Sequence, residues 1–290
     1  MDARVGAAFN RFYELITPSK QQVERALERV EKVATKMREM PSVGSPIFVQ
    51  HRVMGSYARR TAIRGHSDVD VMLEFERVTP IEILGSHTLL TGIRETLGQV
   101  EDSTVQVYEF QEVVRLEYSD GISLDLLPAV KGDRKGYLFP DGSDGWRITD
   151  PCAQEDYFKR QDIASEICLP KFTRGLKQWN AKHGGMVRSY HLESLAAELA
   201  PQLNSDYSIA SFEFFELASR SINIADPARH QGDLSEYLAK SERAAFESLC
   251  KASAGKSISA LIAQSEGEQG RAVRAWADVY GRPFPEWEYL

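Results

Sequence analysis

Asp68 and Asp70 stand one residue apart in the run His66-Ser67-Asp68-Val69-Asp70-Val71. On a strand, alternate side chains share a face, so both carboxylates would point the same way with backbones about 6.5–7 Å apart. Two such charges repel; a divalent cation turns that repulsion into binding, and hard oxygen donors suit magnesium. Phosphoryl transfer through two ions sets them about 3.5–4 Å apart, clamping the attacking and leaving oxygens, and commonly draws on a third carboxylate. Asp125 is the candidate. It interrupts Ile122-Ser123-Leu124-Asp125-Leu126-Leu127, with Leu124 and Leu126 facing the other way, where a charge is costly unless paired or metal-bound. An isolated Asp-x-Asp reads equally as a solvated strand face. The third acid and the upstream Gly55-Ser56 tip the balance: Gly55 lets backbone approach a phosphate, N–H groups opening a helix favour an anion, and the Ser56 hydroxyl adds a hydrogen bond.

The elements that must position these groups follow from periodicity. Val5, Ala8, Phe9, Phe12, Leu15 and Ile16 recur at helical spacing, and Thr17-Pro18-Ser19 interrupts them. Ser19 with Gln22 fits a capping box for a second helix, striped by Val23, Leu27, Val30, Ala34 and Met37. The period then changes to two. Ile47, Val49 and Val53 are expected on one face of a strand ending at Gly55-Ser56, and residues 68–75 form the next strand, with Val69, Val71, Leu73 and Phe75 on one face. Residues 81–98 read as helix. Residues 113–118 and 122–127 flank Ser119-Asp120-Gly121, where Asp-Gly suits a tight turn with positive φ. Residues 131–151 read as loop, with 141–146 either a lid or a plain surface loop. Beyond them the pattern is helical: 153–168, 171–182, 190–200, 208–222, 233–254 and 268–280. The break near Pro151 predicts a mixed α+β half over 1–152 and a helical half over 153–290.

Composition narrows the class. Of 290 residues, 42% are hydrophobic and 27% charged, enough for one large core or two modest ones. A net charge of -7 argues against nucleic acid as the main substrate, because tracking a long phosphate backbone takes a basic surface; small nucleotides remain open. Cys152, Cys168 and Cys250 form no C-x-x-C pair, which points to reduced cytoplasmic thiols and away from a disulfide framework or zinc site. No run reaches the ~18 apolar residues of a membrane span, and the N-terminus lacks a leader pattern. The expectation is a cytoplasmic protein with no membrane partner.

The segment 55–70 as a whole resembles the nucleotidyltransferase signature of the polymerase-β superfamily. Its insert Thr61-Ala62-Ile63-Arg64-Gly65 is similar to that of the cyclic GMP-AMP synthase/DncV-like nucleotidyltransferases, the CD-NTases of bacterial anti-phage defence. Leu124-Asp125-Leu126-Leu127-Pro128-Ala129 resembles their third-carboxylate strand. Leu176-Lys177-Gln178-Trp179-Asn180 and Ser189-Tyr190-His191-Leu192-Glu193 resemble their two nucleotide-facing helical segments, and Trp276 with Tyr280-Gly281-Arg282-Pro283-Phe284-Pro285 their closing motif. The compact chain is similar to clade E. Arg60 stands where relatives often carry a small residue and Met54 where many carry Gln; these departures put loop conformation and nucleotide preference in question but remove no metal ligand.

The resemblance implies an α+β fold: a polymerase-β-like nucleotidyltransferase core, a mixed sheet with N-terminal helices, followed by a helical nucleotide-binding domain, with nucleotides in the cleft between. It implies two Mg²⁺ or Mn²⁺ ions on Asp68, Asp70 and Asp125, NTP substrates, and a monomeric enzyme. Its product would be a cyclic di- or trinucleotide second messenger, read by a separate effector protein. Gly55 and Ser56 would line the nucleotide. Lys177, which the residue pattern alone reads as a solvated lysine, would bind the donor triphosphate. Ser189 is an ordinary N-cap or faces the γ-phosphate, and the two are compatible. Tyr190 is core or a platform for a base. Arg64 touches phosphate or pairs with a surface acid. His66 is placed to tempt as a base but reads as a flexible loop residue. The rivals are a template-independent RNA 3′-end transferase, which would need a basic RNA track, nucleotidyl transfer to a small molecule, and a catalytically dead nucleotide sensor.

Overall fold

The structure is a computed structural model that describes residues 3–39, 46–65, 68–77, 85–98, 105–132 and 136–289. In chain order the elements are α1 (Ala3–Ile16), α2 (Lys20–Arg38), β1 (Phe48–Val53), α3 (Gly55–Ala58), β2 (Val69–Phe75), α4 (Ser86–Gly98), β3 (Val105–Glu109), β4 (Val114–Tyr118), β5 (Ser123–Lys131), β6 (Tyr137–Pro140), β7 (Trp146–Thr149), α5 (Pro151–Ala164), α6 (Leu169–Lys182), α7 (Ser189–Leu199), α8 (Tyr207–Ala218), α9 (Lys240–Ser265) and α10 (Gln269–Tyr280). Contacts divide the chain into two units: Pro18–Ala153, and the residues up to Thr17 together with Gln154–Leu290.

The first unit is built on a sheet of order β1-β2-β5-β4-β3, extended by β6 on β5 and β7 on β6. β2 and β5 run parallel; every other pairing is antiparallel. β5 is the central strand. One of its edges pairs with β2 along its length, and the other pairs first with β4 and then with β6. The pleat sorts the residues. Val69, Val71, Leu73 and Phe75 of β2, Leu124 and Leu126 of β5, and Val114 and Leu116 of β4 enter one core with Ala26, Val30, Val33 and Met37 of α2 and Leu89, Leu90, Ile93 and Leu97 of α4. Burying a side chain of this size stabilises by about 1.5–3 kcal/mol, so the helices are fastened to one face of the sheet. The intervening residues, Asp70, Asp125 and Arg115 among them, point to the opposite face. Ser19 and Gln22 form the expected capping box of α2. The Asp-Gly turn closes the β4–β5 hairpin, with Gly121 at φ 82° and Tyr118 N–H donating to Ile122 O at 3.0 Å.

Periodicity misassigned several elements of this unit. Ile47 and Val49 are exposed, while Phe48 and Val53 pack on the core, because the ladder shifts register between Phe48 and Gln50 and reverses the parity of the strand. Leu27 is exposed, and Ala26 and Val33 join the expected Val30, Ala34 and Met37 in the buried stripe of α2. β3 was not foreseen, and β6 and β7 occupy what read as loop. Residues 141–145 are their turn, and Trp146 opens β7. Asp141 Oδ1 accepts from Ser143 N–H and Gly145 N–H, and Asp144 Oδ1 accepts from His87 N–H at 2.8 Å, tying the turn to the start of α4. The start of the expected helix at 81–84 lies outside the described residues.

The second unit is helical. α9 packs on α8 and α10, and α6 on α7; α1 packs on α6, α8 and α10. The reason α1 sides with this unit is aromatic. Phe9 meets Trp276, Tyr280 and Phe284, with the Phe9 and Trp276 rings 5.1 Å apart and near edge-on, and Phe12 meets Tyr280 and Phe284. Such pairs favour tilted and edge-to-face geometry. Grouping residues 1–152 together therefore separates α1 from the elements it touches. Trp179 makes a second centre against Phe215 and Phe246 and donates its indole N–H to Ser253 Oγ at 3.0 Å. α9 starts later and ends later than the expected 233–254. Among the described residues no helix is long and apolar enough to cross a membrane.

Candidate active site

Asp70 lies directly opposite Asp125 in the parallel β2–β5 ladder, and Asp125 lies opposite Arg115 in the antiparallel β4–β5 ladder. Adjacent strands are about 4.8 Å apart, so the three groups form a lateral row on the face away from α2 and α4. Asp68, just before β2, reaches the same row. Arg115 Nε donates to Asp125 Oδ1 at 2.6 Å, and Nη2 donates to Asp125 Oδ2 at 2.7 Å and to Asp68 Oδ2 at 2.8 Å. Ser123 Oγ donates to Asp68 Oδ1 at 2.6 Å. The hydrogen bond to Asp125, followed by the charges of Asp125, Asp68 and Glu117, outweighs burial and raises the Arg115 pKa, so the guanidinium stays charged.

Gly55 explains how the upstream loop joins this row. Met54 N–H donates to Asp70 O at 2.8 Å, which brings Gly55, at φ 62°, against the Asp70 side chain. A Cβ on Gly55 would overlap the Asp70 carboxylate. α3 then makes a single turn, and Thr61 N–H and Ala62 N–H both return to Ser56 O, at 2.8 and 3.2 Å, with Ser56 itself buried. A cavity of about 450 Å³ opens beside Asp68, lined by Tyr57, Ile63, Arg64, Gly65 and Ser123 among others. Burial and then the Asp68 charge push the Tyr57 phenol up. Arg64 is exposed at this rim. His66 and Ser67 lie outside the described residues.

Among the described residues no three His, Cys, Asp or Glu side chains converge as a formed ion site. Asp68 and Asp125 converge on a guanidinium instead. The donor set nevertheless suits a hard divalent cation: carboxylate oxygens share one sheet face, and two of the three acids already hold a cation in common at 2.6–2.8 Å. Sequence reasoning missed Arg115 and Ser123. Hairpin arithmetic would have found the arginine, since a turn centred on Asp120 places residue 115 opposite residue 125.

The helical unit supplies the remaining candidates. Lys177 is not solvated: it is buried on α6 and donates to Glu193 Oε1 at 3.0 Å, with side chains 7% and 2% exposed. The helical angle placed Lys177 off the apolar stripe of Phe172, Leu176 and Trp179, but α7 packs over that side and brings Glu193 to it. Ser189 is exposed as the first residue of α7; Arg188 is the N-cap, with no side-chain hydrogen bond. Tyr190 is half-buried, and its hydroxyl donates to Asp226 Oδ1 at 3.1 Å. Asp226 also accepts from the N–H groups of Ala228, His230 and Gln231.

This architecture is an α+β, polymerase-β-like nucleotidyltransferase fold with a helical complement. It superposes on CdnC of E. coli MS115-1, solved with ATP, with a TM-score of 0.78 at 16% identity over 97% of this chain and 98% of that one. It also superposes on the Vibrio cholerae DncV cyclic AMP-GMP synthase, solved with the linear intermediate 5′ pppA(3′,5′)pG, at 0.64 and 16% over 98% and 87%. A Bacillus cereus (strain VD146) protein described as "Probable cyclic nucleotide synthase" is 26% identical over 276 residues, 81% of this chain and 82% of its own length. The Second Messenger Oligonucleotide or Dinucleotide Synthetase domain matches residues 4–162, and the chain belongs to that family. It is thus a CD-NTase, a nucleotidyltransferase of the class that synthesises cyclic oligonucleotide second messengers.

Proposed function

We propose that the chain links NTPs in sequence into a cyclic di- or trinucleotide, using Asp68, Asp70 and Asp125 as the acids of the reaction. The observation that carries this reading is the register of Asp70 against Asp125, with Asp68 tied to the same arginine and Gly55 packed on Asp70. The three carboxylates would hold two Mg²⁺ or Mn²⁺ ions, which when bound supply charge stabilisation for the attacking, transferred and leaving oxygens. An Asp125 carboxylate oxygen takes the proton from the attacking ribose hydroxyl. Gly55 keeps the backbone free to approach phosphate, and Ser56 fixes the loop that does so. Attack on an α-phosphate releases pyrophosphate; the linear product turns, and a second attack closes the ring. The linear intermediate held by DncV supports a two-round scheme of this kind.

In this reading the sheet unit carries the chemistry, and the helical unit contributes Lys177 to the donor triphosphate, Ser189 to its terminal phosphate and Tyr190 to a base. Arg64 contacts phosphate at the rim of its cavity. The clade-E placement rests on compactness alone, while the extent of the CdnC superposition favours a CdnC-like arrangement. Action as a monomer, a separate effector for the product, a role in anti-phage defence and a cytoplasmic setting belong to the same proposal.

The test is incubation with all four radiolabelled NTPs and Mg²⁺ or Mn²⁺, followed by phosphatase. A phosphatase-resistant product that disappears with Asp70→Asn is expected. Labelled product that forms only with added RNA would transfer the assignment to the RNA-extending rival, and no incorporation under any condition would leave the dead-sensor reading standing.

A further inference from the structure

Arg115 has no part in the scheme above, yet it makes three charged hydrogen bonds on the active face of the sheet. Its fork engages both oxygens of Asp125, and its Nη2 also takes one oxygen of Asp68, whose other oxygen is held by Ser123. Two of the three acids proposed as ion ligands, Asp68 and Asp125, are therefore already paired with a cation that the fold provides. A planar fork of this kind is the strong form of a charged hydrogen bond. It also occupies the carboxylate edges that an ion would approach, and a guanidinium and a divalent ion sharing the same two carboxylates repel.

We infer that Arg115 is a built-in counter-ion: it holds Asp68 and Asp125 together while no divalent ion is bound, and it gives up at least one of them when an ion enters. It is a positioning residue that competes with the ion. The inference rests on the reading of Asp68, Asp70 and Asp125 as ion ligands. The sheet offers the displaced group somewhere to go. Glu117 lies two residues further along the same face of β4, opposite Ser123, and the exposed Phe110 ring has its centroid 5.9 Å from the guanidinium carbon. The side chain of Arg115 is 28% exposed and that of Asp68 39%, so the exchange happens where water and ions have access.

The measurement is Mn²⁺ binding without nucleotide, by calorimetry or electron paramagnetic resonance, alongside thermal melting in EDTA and in saturating Mn²⁺. Arg115→Met should bind Mn²⁺ about tenfold tighter than the wild type, the scale of one charge-assisted hydrogen bond no longer in competition. It should melt lower than the wild type in EDTA, with the gap narrowing in Mn²⁺. A merely structural arginine would lower the melting point in both conditions and leave Mn²⁺ affinity where it was. Affinity that is unchanged or weaker overturns the proposal. Arg115→Lys, whose single ammonium cannot fork both carboxylates, should tighten binding in the same direction by less, and it decides the matter if the Met variant does not fold in EDTA. Wild-type affinity no higher than that of Asp70→Asn would bring down the ion-ligand reading itself. A wild type that binds more tightly than Asp70→Asn, with Arg115→Met no tighter than the wild type, brings down only the role of Arg115.

Discussion

Arg115 in the sheet unit and Lys177 in the helical unit are both paired with carboxylates, in opposite surroundings. The Arg115 network opens to solvent, its side chain 28% exposed, and sets one cation against two acids with a third in the same row. The Lys177–Glu193 pair is closed, one charge of each sign on helices that pack together. A network open to solvent exchanges its cation at little cost, because water can take over each partner. A buried pair cannot lose a member without weakening the support of a charge held in low dielectric. The same interaction type thus serves exchange in one place and fixation in the other, and if Lys177 does meet a triphosphate it does so from a position already fixed by Glu193.

The comparison breaks most readily at the acids. Asp70→Asn should reduce NTP turnover by on the order of a thousandfold, because it removes a ligand aimed at developing charge, while the urea midpoint moves by less than about 1 kcal/mol equivalent. A large loss of stability would mean that the active face is structural after all. Lys177→Met should do the reverse to stability, costing about 3–5 kcal/mol in chemical denaturation because the buried Glu193 loses its lysine partner; the double variant with Glu193→Gln should recover part of it. A Lys177→Met protein as stable as the wild type would show that the pair is not closed. Gly55→Ala sharpens the picture within the sheet unit. Strain at φ 62° together with overlap on Asp70 should cost about 1–3 kcal/mol and depress turnover with it, as seen in paired melting and activity assays.

The smallest effect is a pH dependence of the helical unit. Burial lowers the pKa of His191, whose Nε2–H donates to Ile222 O at 2.8 Å. The unfolded imidazole titrates at about 6.5. As pH falls below that value the unfolded chain takes up a proton that the folded chain refuses, so stability present above it drains away until the folded pKa is reached. Urea midpoints at pH about 7.5 and 5.5 should therefore fall less for His191→Gln than for the wild type; equal losses would show that this ring is no part of the closed interior.

Legibility followed the range of the interactions. Both acids of Asp-x-Asp, the inward Leu124 and Leu126, the Asp-Gly hairpin and the α2 capping box were readable because each depends on neighbours a few residues away. β1 was misread because a bulge near Phe48 reverses parity, and β6 and β7 because each is only four residues long and a run of turn residues separates them. The residue pattern alone reads Lys177 as solvated because helical angle describes one helix and not the α7 surface packed against it.

By itself the sequence settled that Asp70 and Asp125 are strand residues turned away from an apolar core, since a pleat of period two leaves no other side for them. Tertiary structure alone decided which side chains face each other between elements distant in the chain: Asp70 with Asp125, Lys177 with Glu193, and Phe9 with the closing motif. Those pairings join residues 16 to more than 250 positions apart. No local pattern encodes them, because they are set by the packing of whole elements.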